Sequence, residues 1–242
     1  MSGHSKWHNI QKTKGAQDAK RAAAFTKIAK EMIVAVKEGG SADPNYNSRL
    51  ATVITKAKAA NMPNDNIKRV LDKAANSGSG DAYESITYEG YGPGGVAVIV
   101  ETMTDSRNRT AANVRHHFDK FGGNMGASGC VAWSFDKKGV LVIDNSEEEL
   151  DEEEVMMDAM EAGADDFEAD GDVFTIYTLP DDFNEVVANL SKYTFVSAQL
   201  EMVPQNYQKL ESEEQTKLME RLIDAMEDDD DVQNVWHNWD QD

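Results

Sequence analysis

The chain lacks several features that would assign its class at once. It has one cysteine in 242 residues, Cys130, and a single cysteine excludes an intrachain disulfide framework and a multi-cysteine zinc site. No apolar run reaches the roughly 18–20 residues that span a bilayer, and the first seven residues lack the apolar stretch of a signal peptide. These absences predict a protein of the reducing cytoplasm with no membrane partner.

Positive charge is also scarce, and it is unevenly placed. The chain has 24 Lys and Arg against 44 Asp and Glu, a formal net charge of −20. Residues 1–76 nevertheless carry 14 Lys and Arg and 6 Asp and Glu, a local charge of +8 (14 minus 6), whereas residues 131–203 reach −17 (3 minus 20). An acidic protein binds a polyanion only where its positive charge is gathered. The first segment is therefore predicted to meet phosphate and the rest to be repelled by it.

The basic segment has the apolar periodicity of three helices. The first runs from Asp18 to Lys37 and is ended by two glycines, and a break at residues 61–65 separates the second helix from the third. The third helix is predicted to turn one apolar face inward and to carry its cations outside, the former with Ile67, Val70, Leu71 and Ala74 and the latter with Lys68, Arg69 and Lys73. The predicted buried stripe of the first helix consists of Phe25, Ile28, Ala29, Met32, Ile33 and Val36. Opposite that stripe, the spacing predicts a basic outer ridge formed by Lys20, Lys27, Lys30 and Lys37.

Ahead of the first helix, residues 6–15 have no sustained periodicity and are predicted to form a flexible basic arm. Its Trp7 is an aromatic that could stack on a base. The residues predicted to bind nucleic acid are Lys6, Trp7, His8, Lys12, Lys14, Lys20, Arg21, Lys27, Lys30, Lys37, Asn108 and Arg109. The alternative is a solvated basic face without a ligand.

Past a flexible joint predicted at residues 77–80, strands and helices alternate. Two strands around the turn at 92–95, a helix from Arg107 to Phe121 and a strand at 131–135 open one α/β domain. The pattern then restarts after residue 139 with the order β-α-β-β-α-β of a ferredoxin-like unit. The last helix and strand resemble the missing end of the first sheet.

The predicted fold class is therefore α+β, with an N-terminal three-helix domain followed by two α/β domains of ferredoxin-like character. The domains are residues 1–76, residues 81–136 plus 205–242, and residues 139–203, the third being inserted in the second. In the inserted domain, the helix predicted from Glu149 to Ala162 turns Leu150, Met156 or Met157, and Met160 inward. The acidic runs at 147–154 and 228–231 lack the alternation and turn glycine of a calcium loop and are predicted to be solvated surface.

No catalytic constellation can be assembled, so neither an enzyme, a cofactor nor a metal site is predicted. Ser2-Gly3-His4 could hold Cu(II) or Ni(II) only as a free N-terminus, and the sequence does not decide whether it does. The glycine-rich loop at 122–129 either exposes backbone N–H groups to a phosphate or is a helix exit with unusual φ angles. Asn108 and Arg109, at a helix start, are predicted phosphate contacts.

Several motifs in combination resemble the YebC/PmpR family, which includes bacterial regulators and the mitochondrial translational activator of cytochrome oxidase. They are GHSKW at 3–7, Asp18 to Lys30, NMPNDNI at 61–67, YEGYGPGG at 88–95, TD at 104–105 with NRT at 108–110, and the segment 122–133. Ser106 and Cys130 stand where the family pattern has Asn and Ser. The resemblance implies a three-domain protein that acts either in DNA-binding transcriptional regulation or on the ribosome, where it eases stalled elongation at sites such as proline runs.

Three functions follow from these observations. The preferred one is a ribosome-associated translation factor that binds ribosomal RNA or tRNA, because an arm and a basic ridge read shape and phosphate rather than base edges. The alternative is a transcriptional regulator that binds promoter DNA. A third is a small-molecule-binding α/β regulator with its pocket near the loop at 122–129.

Overall fold

The computed structural model describes residues 18–76, 83–147 and 149–241, and the side chains of residues 18–20 and 76 lie outside that description. The joint predicted at residues 77–80 also lies outside it. The described chain falls into two compact units, each treated by itself below. One contains the N-terminal helices and Lys137–Glu201, and the other contains residues 83–136 together with Met202–Gln241.

Three helices form the N-terminal part of the first unit. They are α1 (Asp18–Gly39), α2 (Ser48–Ala59) and α3 (Asn64–Asn76). The Asn47 side chain caps α2 by accepting a hydrogen bond from the N–H of Leu50. Met32, Leu50 and Ala57 are fully buried where the helices meet. The predicted three-helix arrangement is confirmed.

The second unit opens with two antiparallel strands and a helix. These elements are β1 (Glu84–Tyr91), β2 (Ala97–Thr104), α4 (Arg107–Lys120) and the short strand β3 (Asn124–Met125). Every residue of β1 pairs with β2, from Glu84 opposite Thr104 to Tyr91 opposite Ala97. Strand β3 was not predicted, and it places part of the glycine-rich loop on the sheet edge beside β1.

The chain continues into a second sheet. Its elements are β4 (Phe135–Asp144), α5 (Glu152–Glu161), β5 (Asp166–Asp170), β6 (Val173–Thr178), α6 (Phe183–Asn189) and β7 (Ser197–Pro204). The spatial strand order is β5-β6-β4-β7. A β-α-β-β-α-β chain with its first and third strands adjacent at the centre is the split βαβ arrangement, so the predicted ferredoxin-like unit is confirmed.

The end of the chain returns to the first sheet. Helix α7 (Glu213–Glu227) leads into β8 (Val232–His237), which pairs with β2 and completes the order β3-β1-β2-β8. This confirms that the tail supplies the missing end of that sheet. None of the helices in the described ranges is both long and apolar enough to cross a membrane.

Two local predictions were wrong at the junction of the sheets. Residues 132–134 form a 3₁₀ turn instead of a strand, and β4 runs without a break through residues 136–139, where a restart was predicted. Gly139 lies inside this strand. A Cβ at this position would collide with the Thr178 hydroxyl and would lie 2.5 Å from the Phe183 ring. This glycine therefore serves close packing, whereas the sequence pattern suggested a turn.

The inward face of α5 was also predicted wrongly. Val155 and Ala159 are buried, whereas Met156, Met157 and Met160 are 41%, 58% and 51% exposed. The helix begins at Glu152, and the side chain of Asp151 caps it by accepting a hydrogen bond from the Glu154 N–H. Small and β-branched side chains let the helix approach the sheet closely, so the larger methionines are left on the outside.

This orientation of α5 can be tested by truncating one residue on each side. Val155→Ala truncates a buried side chain on the inward face of α5 and should cost about 1–3 kcal/mol of unfolding free energy. Met157→Ala removes an exposed side chain and should change that free energy by less than about 0.5 kcal/mol. Urea unfolding of both variants checks this, and an equal loss in the two would contradict the assignment of the α5 faces.

Candidate nucleic-acid interface

The predicted basic ridge of α1 is only partly accessible. Arg21 and Lys37 are exposed, whereas Lys27 and Lys30 are half-buried, and each of these two lysines makes a polar or electrostatic contact. The side chain of Lys20 lies outside the described structure. So do Lys6, Trp7, His8, Lys12 and Lys14 and the candidate metal-binding sequence Ser2-Gly3-His4.

Burial on α1 extends beyond the predicted stripe. Val34 is 2% exposed and Ala35 is fully buried, although Val34 follows Lys27 by seven residues and so lies about two helical turns along the same side. Glu31 is buried as well. The helix is therefore enclosed over more than one stripe, and the prediction of a ridge facing only solvent was wrong for its central part.

Two of the cations near α1 are neutralised within the helical domain. The Lys56 ammonium lies 2.6 Å from the carboxylate of the buried Glu31, and Arg49 pairs with Glu38. Because a buried carboxylate needs a partner, Lys56 has a structural role. These two cations add little to the attraction of a polyanion.

Further accessible positive charge lies on α2 and α3. Lys58, Lys68 and Arg69 are exposed, and over the described ranges no carboxylate lies within ion-pair distance of them. Lys73 is also exposed on α3. The inward face of α3 is formed by Ile67, Val70 and Leu71, as the sequence predicts. Sequence periodicity placed Lys68, Arg69 and Lys73 on the outside, but they were not chosen as site residues.

The connection between α2 and α3 is short and tightly formed. It consists of residues 60–63, with Asn61 at φ 58°. The Met62 N–H donates to the Ala57 carbonyl at 2.9 Å, and the Met62 side chain is buried. A connection of this length occurs both in helix-turn-helix motifs and in αα-hairpins.

The two predicted phosphate contacts at the start of α4 differ. Asn108 is exposed, whereas Arg109 is hydrogen-bonded to other side chains of the protein. The Arg109 guanidinium donates to Asp231 at 2.7 Å, to Asp105 at 2.9 Å and to the Thr104 hydroxyl at 3.3 Å. The hydrogen bonds to Asp231 and Asp105 raise the pKa of Arg109 above its usual range. Two carboxylates therefore compete with any phosphate for this side chain.

The acidic run at 228–231 is partly internal, so the prediction of solvated surface was wrong for two of its residues. Asp231 is 6% exposed, and its Oδ2 accepts hydrogen bonds from Thr110 at 2.9 Å and Thr104 at 3.2 Å as well as from Arg109. Burial would raise the pKa of Asp231, but these donors hold it below its usual value. The side chain of Asp229 is 10% exposed and lies 3.6 Å from His117.

The last residue of the glycine-rich loop and the turn that follows it already hold an anion, the carboxylate of Glu89. The Gly129 N–H donates to Glu89 Oε1 at 2.7 Å, and the N–H groups of Val131 and Ala132 donate to Oε2 at 2.9 and 2.8 Å. Glu89 is 5% exposed. Gly122 and Gly129 have φ angles of 78° and 84°, which fits the alternative of a helix exit with unusual φ. The N–H groups of all four glycines of the loop are used within the protein, that of Gly129 by the Glu89 carboxylate and those of Gly122, Gly123 and Gly126 by backbone carbonyls.

An exposed aromatic pair adjoins this loop, and the sequence analysis did not single it out. Trp133 is 71% exposed and Tyr91 is 40% exposed. The Trp133 indole N–H donates to the Cys130 carbonyl at 3.0 Å, and the Tyr91 hydroxyl donates to the same oxygen at 3.2 Å. The shared acceptor fixes both polar ends, so the rings are held at the surface.

Taken together, these features define a class: a chain with a basic three-helix domain and two antiparallel α/β sheets. Two family models match the chain. One, described as the TACO1/YebC N-terminal domain, matches residues 5–77, and another, described as the TACO1/YebC second and third domain, matches residues 83–239. The chain belongs to the TACO1/YebC family.

Relatives match over nearly the full length. Proteins named probable transcriptional regulatory protein are similar to this chain in Finegoldia magna (56% identical, 99% of both chains) and in Acetivibrio thermocellus (54% identical, 99% of both chains). A protein with the same description from Bacillus subtilis, YrbC, is 53% identical over 99% of each chain. The crystal structure of a conserved hypothetical protein from Aquifex aeolicus superposes with a TM-score of 0.81 at 43% identity, covering 92% of this chain and 91% of that one.

The buried Glu89 carboxylate gives the loop a pH-dependent contribution to stability. Burial alone would raise its pKa, but the three N–H donors lower it below the ordinary value of 4.5. A carboxyl with a lowered pKa stabilises the fold above the unfolded-state pKa, and this contribution is lost as the pH falls through the folded-state pKa. Glu89→Gln should therefore lower the free energy of unfolding by about 1–3 kcal/mol at pH 7. Below about pH 4.5, the free energy of unfolding of this variant should fall less with decreasing pH than that of the wild type.

Urea unfolding at a series of pH values from neutral to acidic measures this effect. Glu220→Gln is the matched control, because Glu220 is exposed on α7 in the same unit, and it should change stability by less than about 0.5 kcal/mol. Parallel pH curves for wild type and Glu89→Gln would show that the N–H donors do not favour the ionised carboxyl.

Proposed function

We propose that this chain is a nucleic-acid-binding regulator of gene expression that acts on the ribosome, where its helical domain contacts RNA and eases stalled elongation. The observation that carries the proposal is the local charge of +8 at residues 1–76 (14 minus 6) in a chain of net charge −20. The exposed cations Lys58, Lys68 and Arg69 support it, because they are available to phosphate. Exposed lysine and arginine side chains supply the sequence-independent part of nucleic-acid affinity.

The rest of the chain favours the same domain as the contact surface. The donors of the candidate anion sites in the second unit bind internal carboxylates, namely Glu89 of β1 at Gly129 and Asp231 at Arg109. Residues 131–203 carry a charge of −17 (3 minus 20), which repels phosphate. The helical domain is therefore the surface on which a polyanion meets the least opposition.

In this proposal the protein has a positioning role. Binding energy used to hold RNA or a peptidyl-tRNA in a productive geometry can speed a reaction whose chemistry belongs to the ribosome. The resemblance of the sequence to a family that includes a mitochondrial translational activator supports this role. Trp133 and Tyr91, with their rings held at the surface, are further candidates for stacking on unpaired bases.

Promoter binding is the second candidate, and a specific observation favours it. The connection at 60–63 between α2 and α3 has the length used in helix-turn-helix motifs, and Asn64, Lys68 and Arg69 of α3 are residue types that contact bases or phosphates. The names of the bacterial relatives also refer to transcription. Asp65 and Asp72 are exposed on the same helix, however, and they oppose close approach to DNA.

Reversing the accessible cations tests the binding surface. The salt dependence of RNA binding is measured as the slope of log K against log salt concentration. Each phosphate neutralised on a single strand contributes roughly 0.7 to the magnitude of that slope. A full-length triple variant with Lys58→Glu, Lys68→Glu and Arg69→Glu should therefore have a slope smaller in magnitude by about 2. Ribosome co-sedimentation should fall in parallel. Stability should change by less than about 0.5 kcal/mol per substitution, because all three side chains are exposed.

A matched control carries the same change of charge elsewhere. Lys209→Glu, Lys217→Glu and Arg221→Glu reverse three exposed cations in the acidic tail and should leave both the slope and the co-sedimentation nearly unchanged. Equal losses in the two triple variants would mean that net charge alone governs binding, and the assignment to α2 and α3 would be wrong.

A reconstituted translation assay on a message with a proline run distinguishes the two candidate functions. Wild-type protein should shorten the pause, and the Lys58/Lys68/Arg69 triple variant should not. If the pause is the same with and without protein, while a promoter fragment is bound with at least about a thousandfold preference over random DNA, the transcriptional function replaces the one proposed here.

A further inference from the structure

Helix α5 presents an apolar face that the fold does not use. Met156, Met157 and Met160 are 41%, 58% and 51% exposed, and their spacing of three and four residues places them side by side on the helix surface. The opposite side of the helix, with Val155 and Ala159, packs into the core of the second sheet. Three adjacent exposed methionines form a continuous patch, which differs from the scattered single apolar residues of an ordinary surface.

The charge around this methionine patch is negative. Glu153 and Glu161 flank the methionines and are exposed, and no cation of the described chain pairs with either of them. Lys192 is the nearby cation on the other flank, where it binds Asp158 at 2.5 Å and Glu154 at 3.3 Å. The methionine side of α5 therefore keeps its negative charge unbalanced.

The neighbouring sheet edge adds to this charge and limits the form of a partner. Strand β5 lies at the edge of the second sheet, contacts α5 and carries Asp166, Glu168 and Asp170. Charged residues along an edge strand oppose the addition of another strand. A partner is therefore accommodated on the helix face, where the ridges of methionine side chains can interdigitate with the residues of a second helix.

The same charge excludes three other occupants. Nucleic acid and an anionic membrane carry charge of the same sign as the patch. A second copy of this chain would bring an identical acidic face from a protein of net charge −20. The remaining partner is both apolar and cationic, and methionine side chains are flexible and polarisable enough to pack against varied apolar surfaces.

We infer that the methionine patch of α5 docks a basic amphipathic helix of another protein. The apolar stripe of that helix covers Met156, Met157 and Met160, and its Lys or Arg residues meet Glu153 and Glu161. This inference does not depend on the proposed function, because it concerns a protein partner and a surface whose charge is opposite to that of the helical domain.

The test uses the full-length protein with methyl-labelled methionine and a designed peptide of about 18 residues, five helical turns, with a leucine stripe and lysines elsewhere. Binding should shift the methyl signals of the three exposed methionines, and a peptide with glutamate in place of lysine should not bind. Raising the salt concentration from about 50 to 300 mM should weaken binding, because exposed charges are screened.

Two variants separate the apolar and charged contributions. Binding to these variants is followed by the fluorescence anisotropy of a labelled peptide. Met156→Gln, Met157→Gln and Met160→Gln together should weaken binding of the lysine peptide at least about tenfold. Glu153→Lys with Glu161→Lys should abolish binding of the lysine peptide and allow the glutamate peptide to bind. Tyr46→Ser, which removes an 82% exposed apolar side chain in the helical domain, is the control and should bind as wild type. The unshifted methyl signals of buried methionines such as Met32 report that each variant is folded.

Three results would overturn the inference. Equal binding of the lysine and glutamate peptides would show an unselective apolar surface, and equal binding by wild type and the methionine variant would show attraction to net charge alone. Shifts of the same methyl signals on increasing protein concentration, without peptide, would assign the patch to self-association.

Discussion

The second unit depends on a buried carboxylate that ties the end of the chain to its first half. Asp231 accepts hydrogen bonds from Arg109 at 2.7 Å, Thr110 at 2.9 Å and Thr104 at 3.2 Å, and its carbonyl oxygen accepts from the Met103 N–H at 2.8 Å. These contacts set the position at which β8 pairs with β2, although the second sheet lies between these two strands in the sequence. A charge at this depth is tolerated only because every donor is in place, so the network specifies the closure of the sheet.

Internal carboxylates also determine which hydrogen-bond donors of the second unit are used within the fold. Backbone N–H groups in a glycine-rich loop and an arginine at a helix start are common phosphate ligands, and both occur in the second unit. Glu89 and Asp231 occupy these positions, so the groups stabilise the fold. The gathered positive charge of the chain lies at residues 1–76, and the methionine patch of α5 carries charge of the opposite sign.

Local periodicity accounts for the parts of the fold that were predicted correctly. Helices α1 to α3, the hairpin of β1 and β2 and the β-α-β-β-α-β order each follow from the spacing of apolar residues over a few turns or one strand. The errors occurred where the local pattern was compatible with two different environments for a residue. Met156, Met157 and Met160 have helical spacing, but Val155 and Ala159 fit the sheet more closely, and Gly139 resembles a turn residue although it is needed for packing against Thr178.

The features of the candidate site likewise divide into those set by the local sequence and those set by the tertiary structure. The sequence by itself determined that positive charge is gathered at residues 1–76 and that Lys68, Arg69 and Lys73 face outward from α3, because charge and helical period are local properties. Only the tertiary structure decided that Lys56 neutralises Glu31, that Arg109 belongs to Asp231 and that Glu89 fills the glycine-rich loop. These pairs join residues that are 25, 122 and 40 or more positions apart, and no local pattern records which distant carboxylate a given donor will meet once the chain is folded.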